Sequence, residues 1–124
     1  MEFNENVIYE PDCFAIRRMP AHSDHGYYAT GKEADAGESS FLTSLNGRWK
    51  FAYANNLAEV IEGFYCKDYD SSNWDEIMVP SSIQLFGYGK LQYVNSQYPW
   101  DGKEAVRGKE IPKKYNPVAM YVHS

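Results

Sequence analysis

Cysteine is scarce in this chain. Cys13 and Cys66 are the only two in 124 residues, and they lie far apart. Two thiols cannot build a disulfide framework, so both read as reduced, structural thiols of a cytoplasmic protein. Long apolar runs are missing too. No segment approaches the ~20 residues that would cross a bilayer. The opening Met-Glu-Phe-Asn-Glu-Asn is acidic, which excludes a signal peptide as the reading of the N-terminus. Positive charge is in deficit, 12 Lys and Arg against 17 Asp and Glu, and it gathers into no stripe. That argues against nucleic acid as a partner, and the lack of an apolar span argues against a membrane. There is no internal repeat and no low-complexity block.

The most telling absence is local. Between Phe86 and Trp100 there is no carboxylate, and Lys90 is the only cation. The stretch holds instead Gly87, Gly89, Tyr88, Tyr93, Tyr98, Trp100, Gln92, Gln97 and Asn95. Rings cover the apolar C–H faces of a pyranose, and neutral amides both donate to and accept from its hydroxyls. The stretch therefore reads as a sugar-binding surface. It contains no acid, base or nucleophile for cutting a glycosidic bond.

A chain of this length has room for one domain with a real core. Aromatic residues make up 16% of it, natural core material for a small β-rich fold. Residues 1–40 show no persistent period. Pro11, Pro20, Gly26, Gly31 and Gly37 interrupt every possible element, which predicts an extended arm. Phe14, Ile16, Met19, Tyr27 and Tyr28 give that arm the apolar content of a segment laid across another surface rather than of a disordered tail. From Phe41 the pattern sharpens. Asn46-Gly47 reads as a turn pair. Trp49, Phe51 and Tyr53 alternate with Lys50 and Ala52, which predicts a strand with an aromatic face. Leu57 to Phe64 reads as a short helical turn capped by Asn55 or Asn56. Ile77-Met78-Val79 reads as a buried strand stopped by Pro80. Ala119 to His123 starts another strand close to the last residue, so the expectation is a sandwich that is cut short.

Ordered short motifs run along nearly the whole chain. Phe14-Ala15-Ile16-Arg17-Arg18 and Pro20-Ala21-His22 come first. Ser44-Leu45-Asn46-Gly47-Arg48-Trp49-Lys50-Phe51, Trp74-Asp75-Glu76-Ile77, Val79-Pro80 and Gln84-Leu85 follow. Gly87-Tyr88-Gly89, Tyr93-Val94-Asn95, Tyr98-Pro99, Asn116-Pro117-Val118 and Tyr121 complete the series. Together they resemble the N-terminal part of the glycoside hydrolase family 2 β-galactosidases.

The resemblance implies an all-β fold: an incomplete, galactose-binding-like jelly-roll β-sandwich over residues 41–124, preceded by the arm over residues 1–40. It implies a parent enzyme that hydrolyses terminal β-D-galactosides such as lactose with retention. In such enzymes the catalytic glutamates lie in a (β/α)₈ barrel, so this chain alone is expected to be inactive. The asparagine of Tyr-x-Asn, here Asn95, is expected to hydrogen-bond the galactosyl group; without the family it reads as a turn residue. Ser96 beside it and Trp100 are the other expected substrate contacts. Tyr93 and Tyr98 read as core or loop packing.

The resemblance also implies magnesium and sodium in the intact enzyme and assembly into a homotetramer with the remaining domains. The positions corresponding to the arm's magnesium ligands are Val7 and Glu10, and Val7 cannot ligate a hard cation. The sodium-binding aspartate of relatives falls beyond Ser124. Glu10 can ligate such a cation, so the arm's magnesium site stays open, and no residue of this chain is assigned as a metal ligand. His22, Asp24 and His25 match no metal spacing and read as a loop. Asp101, Glu104 and Glu110 read as solvated loop charges. A separated arm, up to about Ser44, is expected to complement an arm-deleted relative. Two other readings remain: a free-standing carbohydrate-binding module, and a truncated reading frame with no function of its own.

Overall fold

The computed structural model describes residues 5–16, 18–93, 95, 97–108 and 110–123. They fall into two compact units, one ending at Leu45 and the other beginning at Asn46.

The first unit holds a 3₁₀ turn over Glu5–Tyr9 and a short helix α1 over Gly31–Ala36. The helix departs from the expectation that Pro and Gly would leave residues 1–40 without an element. Its glycines sit at its ends, where they punctuate rather than break. Thr30 is the N-cap: its Oγ1 accepts the Glu33 N–H at 3.2 Å. The Glu33 carboxylate reaches back to the Ala29 N–H at 2.9 Å, so two orphan donors at the helix start find acceptors. Gly37, at φ 70, closes the other end, and the Glu38 N–H returns to the Glu33 carbonyl. Phe14 and Met19 are 81% and 71% exposed, so the unit gathers no apolar core around them.

The second unit is built on one three-stranded antiparallel sheet in the order β2-β1-β3, with β1 at Gly47–Ala54, β2 at Asp75–Val79 and β3 at Val118–Val122. Regular structure in this unit is all β apart from two 3₁₀ turns, Leu57–Glu59 and Ile83–Phe86. Gly47 does not turn the chain. At φ 147 it is already paired with Val79 and opens β1. The 57–59 turn is capped by Asn56, whose side chain accepts the Ala58 N–H at 3.0 Å. It is shorter than the expected 57–64 because Val60, directly after Glu59, is already extended at φ -63 and ψ 133. Pro80 ends β2 as expected, and its peptide bond is cis.

Register explains the core. Phe51 faces Asp75 on one side and Tyr121 on the other, and Trp49 faces Ile77. Paired residues share a face, so Trp49, Phe51, Tyr53, Ile77 and Tyr121 form the aromatic face. The opposite face is not uniformly polar. Arg48, Lys50 and Glu76 occupy one end, with Glu76 3.2 Å from Lys50 and 3.5 Å from Arg48. Ala52, Ala54 and Met120 occupy the other, where Ala54 and Met120 are buried. The core thus has two shallow halves, Phe51 with Ile77 and Ala54 with Met120, one on each side of β1. Met78, expected within a buried strand, is 47% exposed because it falls on the charged end.

Candidate functional site

The ring- and amide-rich segment leaves the sheet at Gly87-Tyr88-Gly89. Tyr88 lies on the aromatic face, its ring centroid 4.6 Å from that of Phe51 and 6.0 Å from that of Tyr53. Its hydroxyl donates to Asp75 Oδ2 at 2.5 Å. That bond raises the Tyr88 pKa, since a phenolate beside a carboxylate is disfavoured. Gly87 and Gly89 take φ 90 and 68, conformations costly to a residue with a Cβ. A Cβ on Gly89 would also stand 3.1 Å from the Tyr53 hydroxyl. The glycines therefore let the chain press Tyr88 onto the sheet and depart at once.

Beyond this anchor the chain runs outward. Leu91 is 78% and Tyr93 91% exposed, so of the two expected roles for Tyr93, core or loop packing, the core is excluded. Asn95 is exposed. Ser96 lies outside the described residues.

The return is ordered by a tight set of bonds. Trp100, half-buried, stacks on Tyr98 with centroids 4.9 Å apart and planes 7° apart. The Tyr98 N–H donates to Asp101 Oδ2 at 3.0 Å, and the Asp101 N–H returns to the Tyr98 carbonyl at 3.0 Å. Lys103 and Glu104 donate their N–H groups to the Trp100 carbonyl at 2.9 and 3.0 Å. Tyr98, Trp100, Asp101 and Val106 border an open concavity of about 640 Å³.

Two of the three carboxylates expected to be solvated charges are structural. Asp101 caps the 98–101 turn. Glu104 accepts the N–H groups of Lys113, Lys114 and Tyr115 at 2.8, 2.9 and 3.3 Å. The Lys113 N–H foremost, then those of Lys114 and Tyr115, hold its carboxyl below the usual glutamate range. Glu110 accepts the Arg107 N–H at 3.4 Å. An acid catalyst of a glycosidase needs a raised pKa, so Glu104 is tuned in the wrong direction for that task. Sequence reasoning missed Glu104 because its partners lie about ten residues ahead, beyond any local motif. Tyr88 was visible as a ring and within Gly87-Tyr88-Gly89, but not as the partner of Asp75.

Among the described residues no group of three or more His, Cys, Asp or Glu could hold a metal ion. His22 is occupied otherwise: Nε2 lies 2.9 Å from Asp24 and Nδ1 2.7 Å from the Pro20 carbonyl. The Val7 side chain carries no ligand atom, and the Val7 carbonyl accepts the Glu10 N–H at 3.4 Å. Cys13 and Cys66 are free and exposed, not buried packing thiols. Among the described residues no helix is long and apolar enough to cross a membrane.

A β-sheet with an aromatic face, from which a loop of rings and neutral amides is projected, has the features of a carbohydrate-recognising β-domain. Residues 42–124 match the sugar binding domain of the glycosyl hydrolases family 2, and the chain belongs to that family. It is 50% identical over 125 residues to a beta-galactosidase of Halalkalibacterium halodurans, covering 98% of this chain and 12% of the relative. It is 41% identical over 118 residues to a beta-galactosidase of Streptococcus thermophilus, covering 95% of this chain and 12% of the relative. With the beta-galactosidase large subunit of Latilactobacillus sakei the figure is 38% over 135 residues, 99% of this chain and 22% of the relative. The chain thus spans 12 to 22% of the length of these three relatives.

Proposed function

We propose that this chain is the N-terminal, substrate-contacting segment of a β-galactosidase. The reading rests on one combination: relatives of that name align along nearly the whole chain, and Asn95 stands exposed on its glycine-anchored loop. The substrate is a terminal β-D-galactoside such as lactose. The Asn95 carboxamide donates to one sugar hydroxyl and accepts from another, and it stays neutral at every working pH. Trp100 and Ser96 complete this side of the pocket.

Bond cleavage falls to carboxyl groups of the parent enzyme. Hydrolysis with retention needs two of them about 5 Å apart. One attacks the anomeric carbon while the other protonates the leaving oxygen, and water then releases the galactosyl group. Within the loop, Asp101 and Glu104 have their oxygens engaged by backbone N–H groups. That engagement supports a division of labour between this segment, which shapes and orients, and a barrel that reacts. On the same reading the intact enzyme is a cytoplasmic homotetramer that uses magnesium and sodium. The sheet is then one layer of a jelly-roll sandwich.

The test is Asn95→Ala in the intact enzyme. Losing hydrogen bonds to substrate hydroxyls should lower kcat/KM about 10- to 100-fold, the worth of one or two such bonds. An unchanged kcat/KM would refute the role of Asn95.

A further inference from the structure

The geometry points to Glu104 as the positioning residue of the loop that carries Asn95. This rests on the galactoside reading only for its consequence in catalysis; the mechanical part stands on this chain alone. The loop leaves the sheet at Gly89, and its described residues hold no helix or strand before β3 begins at Val118. A loop that long needs a second attachment if a side chain near its tip is to keep one place. Glu104 supplies it. One carboxylate takes three consecutive N–H groups, of Lys113, Lys114 and Tyr115, a few residues ahead of β3. Such charge-assisted bonds are shorter and stronger than neutral ones. The Lys103 ammonium adds to the clasp, 5.4 Å from the Tyr115 ring centroid, and also donates to the Pro99 carbonyl at 3.3 Å.

From Glu104 the restraint passes back toward Asn95 in discrete steps. The Glu104 and Lys103 N–H groups hold the Trp100 carbonyl. Trp100 stacks on Tyr98, and Asp101 holds the Tyr98 N–H. Tyr98 is three residues from Asn95. The loop is therefore pinned to the aromatic face by Tyr88 at its start and to the approach of β3 by Glu104 at its end. Glu104 touches no substrate in this scheme; it acts through Asn95.

The experiment has two parts. Amide hydrogen exchange is measured near neutral pH on the 124-residue chain as wild type, Glu104→Ala, Glu104→Gln and, as a carboxylate control, Glu110→Gln. Glu104→Ala should speed exchange severalfold at Lys113, Lys114 and Tyr115 and, with them, at Tyr98 and Asp101. Glu104→Gln, which keeps one acceptor oxygen, should fall between, and Glu110→Gln should match wild type at all five. Faster exchange at residues 113–115 with Tyr98 and Asp101 unchanged would overturn the proposal.

In the intact enzyme, Asn95→Ala, Glu104→Gln and the double variant are compared by kcat/KM on a galactoside. Glu104→Gln should lower kcat/KM severalfold alone and add little once Asn95 is gone. A full, additive loss in the Asn95→Ala background would refute action through Asn95. If Asn95→Ala alone costs nothing, the galactoside role of the loop falls, and the exchange experiment still decides the clasp.

Discussion

Phe51→Ala is the most severe test of where this small fold keeps its stability. Phe51 is 1% exposed, at the centre of the middle strand. Its ring meets Tyr88 at 4.6 Å and Tyr121 at 5.0 Å, both inclined. Truncating a buried Phe costs about 3–5 kcal/mol. The two inclined ring pairs, worth about 0.5–1.5 kcal/mol each beyond area, place this site toward the upper end. Domains of this size are stable by about 5–15 kcal/mol, and a core with four buried apolar residues among the described ones belongs at the low end. Phe51→Ala should then bring the chain close to its unfolding midpoint in plain buffer. Phe51→Leu keeps most of the volume and should cost about 1.5 kcal/mol. With a urea slope of about 1–1.5 kcal/mol/M, that is a midpoint lower by about 1 M. Urea titration followed by tryptophan fluorescence and far-ultraviolet circular dichroism reads both. A Phe51→Ala midpoint within about 0.3 M of wild type, on the same slope scale, would show that the sheet core is not the source of stability.

Gly89→Ala should be destabilising twice over. At φ 68 a Cβ costs about 1–2 kcal/mol, and here it would also crowd the Tyr53 hydroxyl at 3.1 Å. Thermal melting should fall by several degrees, and an unshifted melt would refute the close approach. Acid should weaken the second unit. Glu76, held low by the Lys50 hydrogen bond first and Arg48 after it, and Glu104, held low by its N–H clasp, both have folded pKa values below the unfolded value. Their stabilisation is present above the ordinary glutamate pKa and is lost as pH falls through the lowered one. Urea midpoints measured from pH 7 down to 3 should decline, less steeply in a Glu76→Gln, Glu104→Gln double variant. Tyr88 has the opposite sign: its raised pKa means the Asp75 bond contributes in full below pH 10.0 and is lost as pH climbs past the folded value. Tyr88→Phe should flatten the alkaline limb of the same titration. Finally, the purified chain should hydrolyse no chromogenic β-galactoside above a blank, and measurable turnover would overturn the division of labour.

What was legible in the sequence followed local rules. The alternation of Trp49, Phe51 and Tyr53 announced β1, because side chains on a strand face one way every second residue. Pro80 announced the end of β2, and Asn56 the start of a turn. What stayed hidden was non-local or depended on a glycine's place. Gly31 and Gly37 looked like breakers, yet they bracket α1, and only the pairing of Thr30 with Glu33 tells a bracketed helix from a broken one. The second apolar half of the core was hidden because Ala52 and Ala54 read as neutral spacers until Met120 is placed across from Ala52 by the β1–β3 register. Residue type left Tyr93 between core and loop, and only its 91% exposure decides against the core.

The loop's chemistry divides along the same line. Its amides and rings speak through residue type, which a sequence prints directly. Its carboxylates speak through what occupies their oxygens, which a sequence does not print. Asp101 and Glu104 carry the same charge as any solvated loop acid. Only the folded backbone shows that Glu104 has gathered three N–H groups and is thereby held ionised, stiff and unfit to give up a proton to a leaving group. A carboxylate used in that way adds rigidity to a loop whose recognition groups are neutral. That arrangement suits a surface that must present an amide in one orientation over a wide pH range.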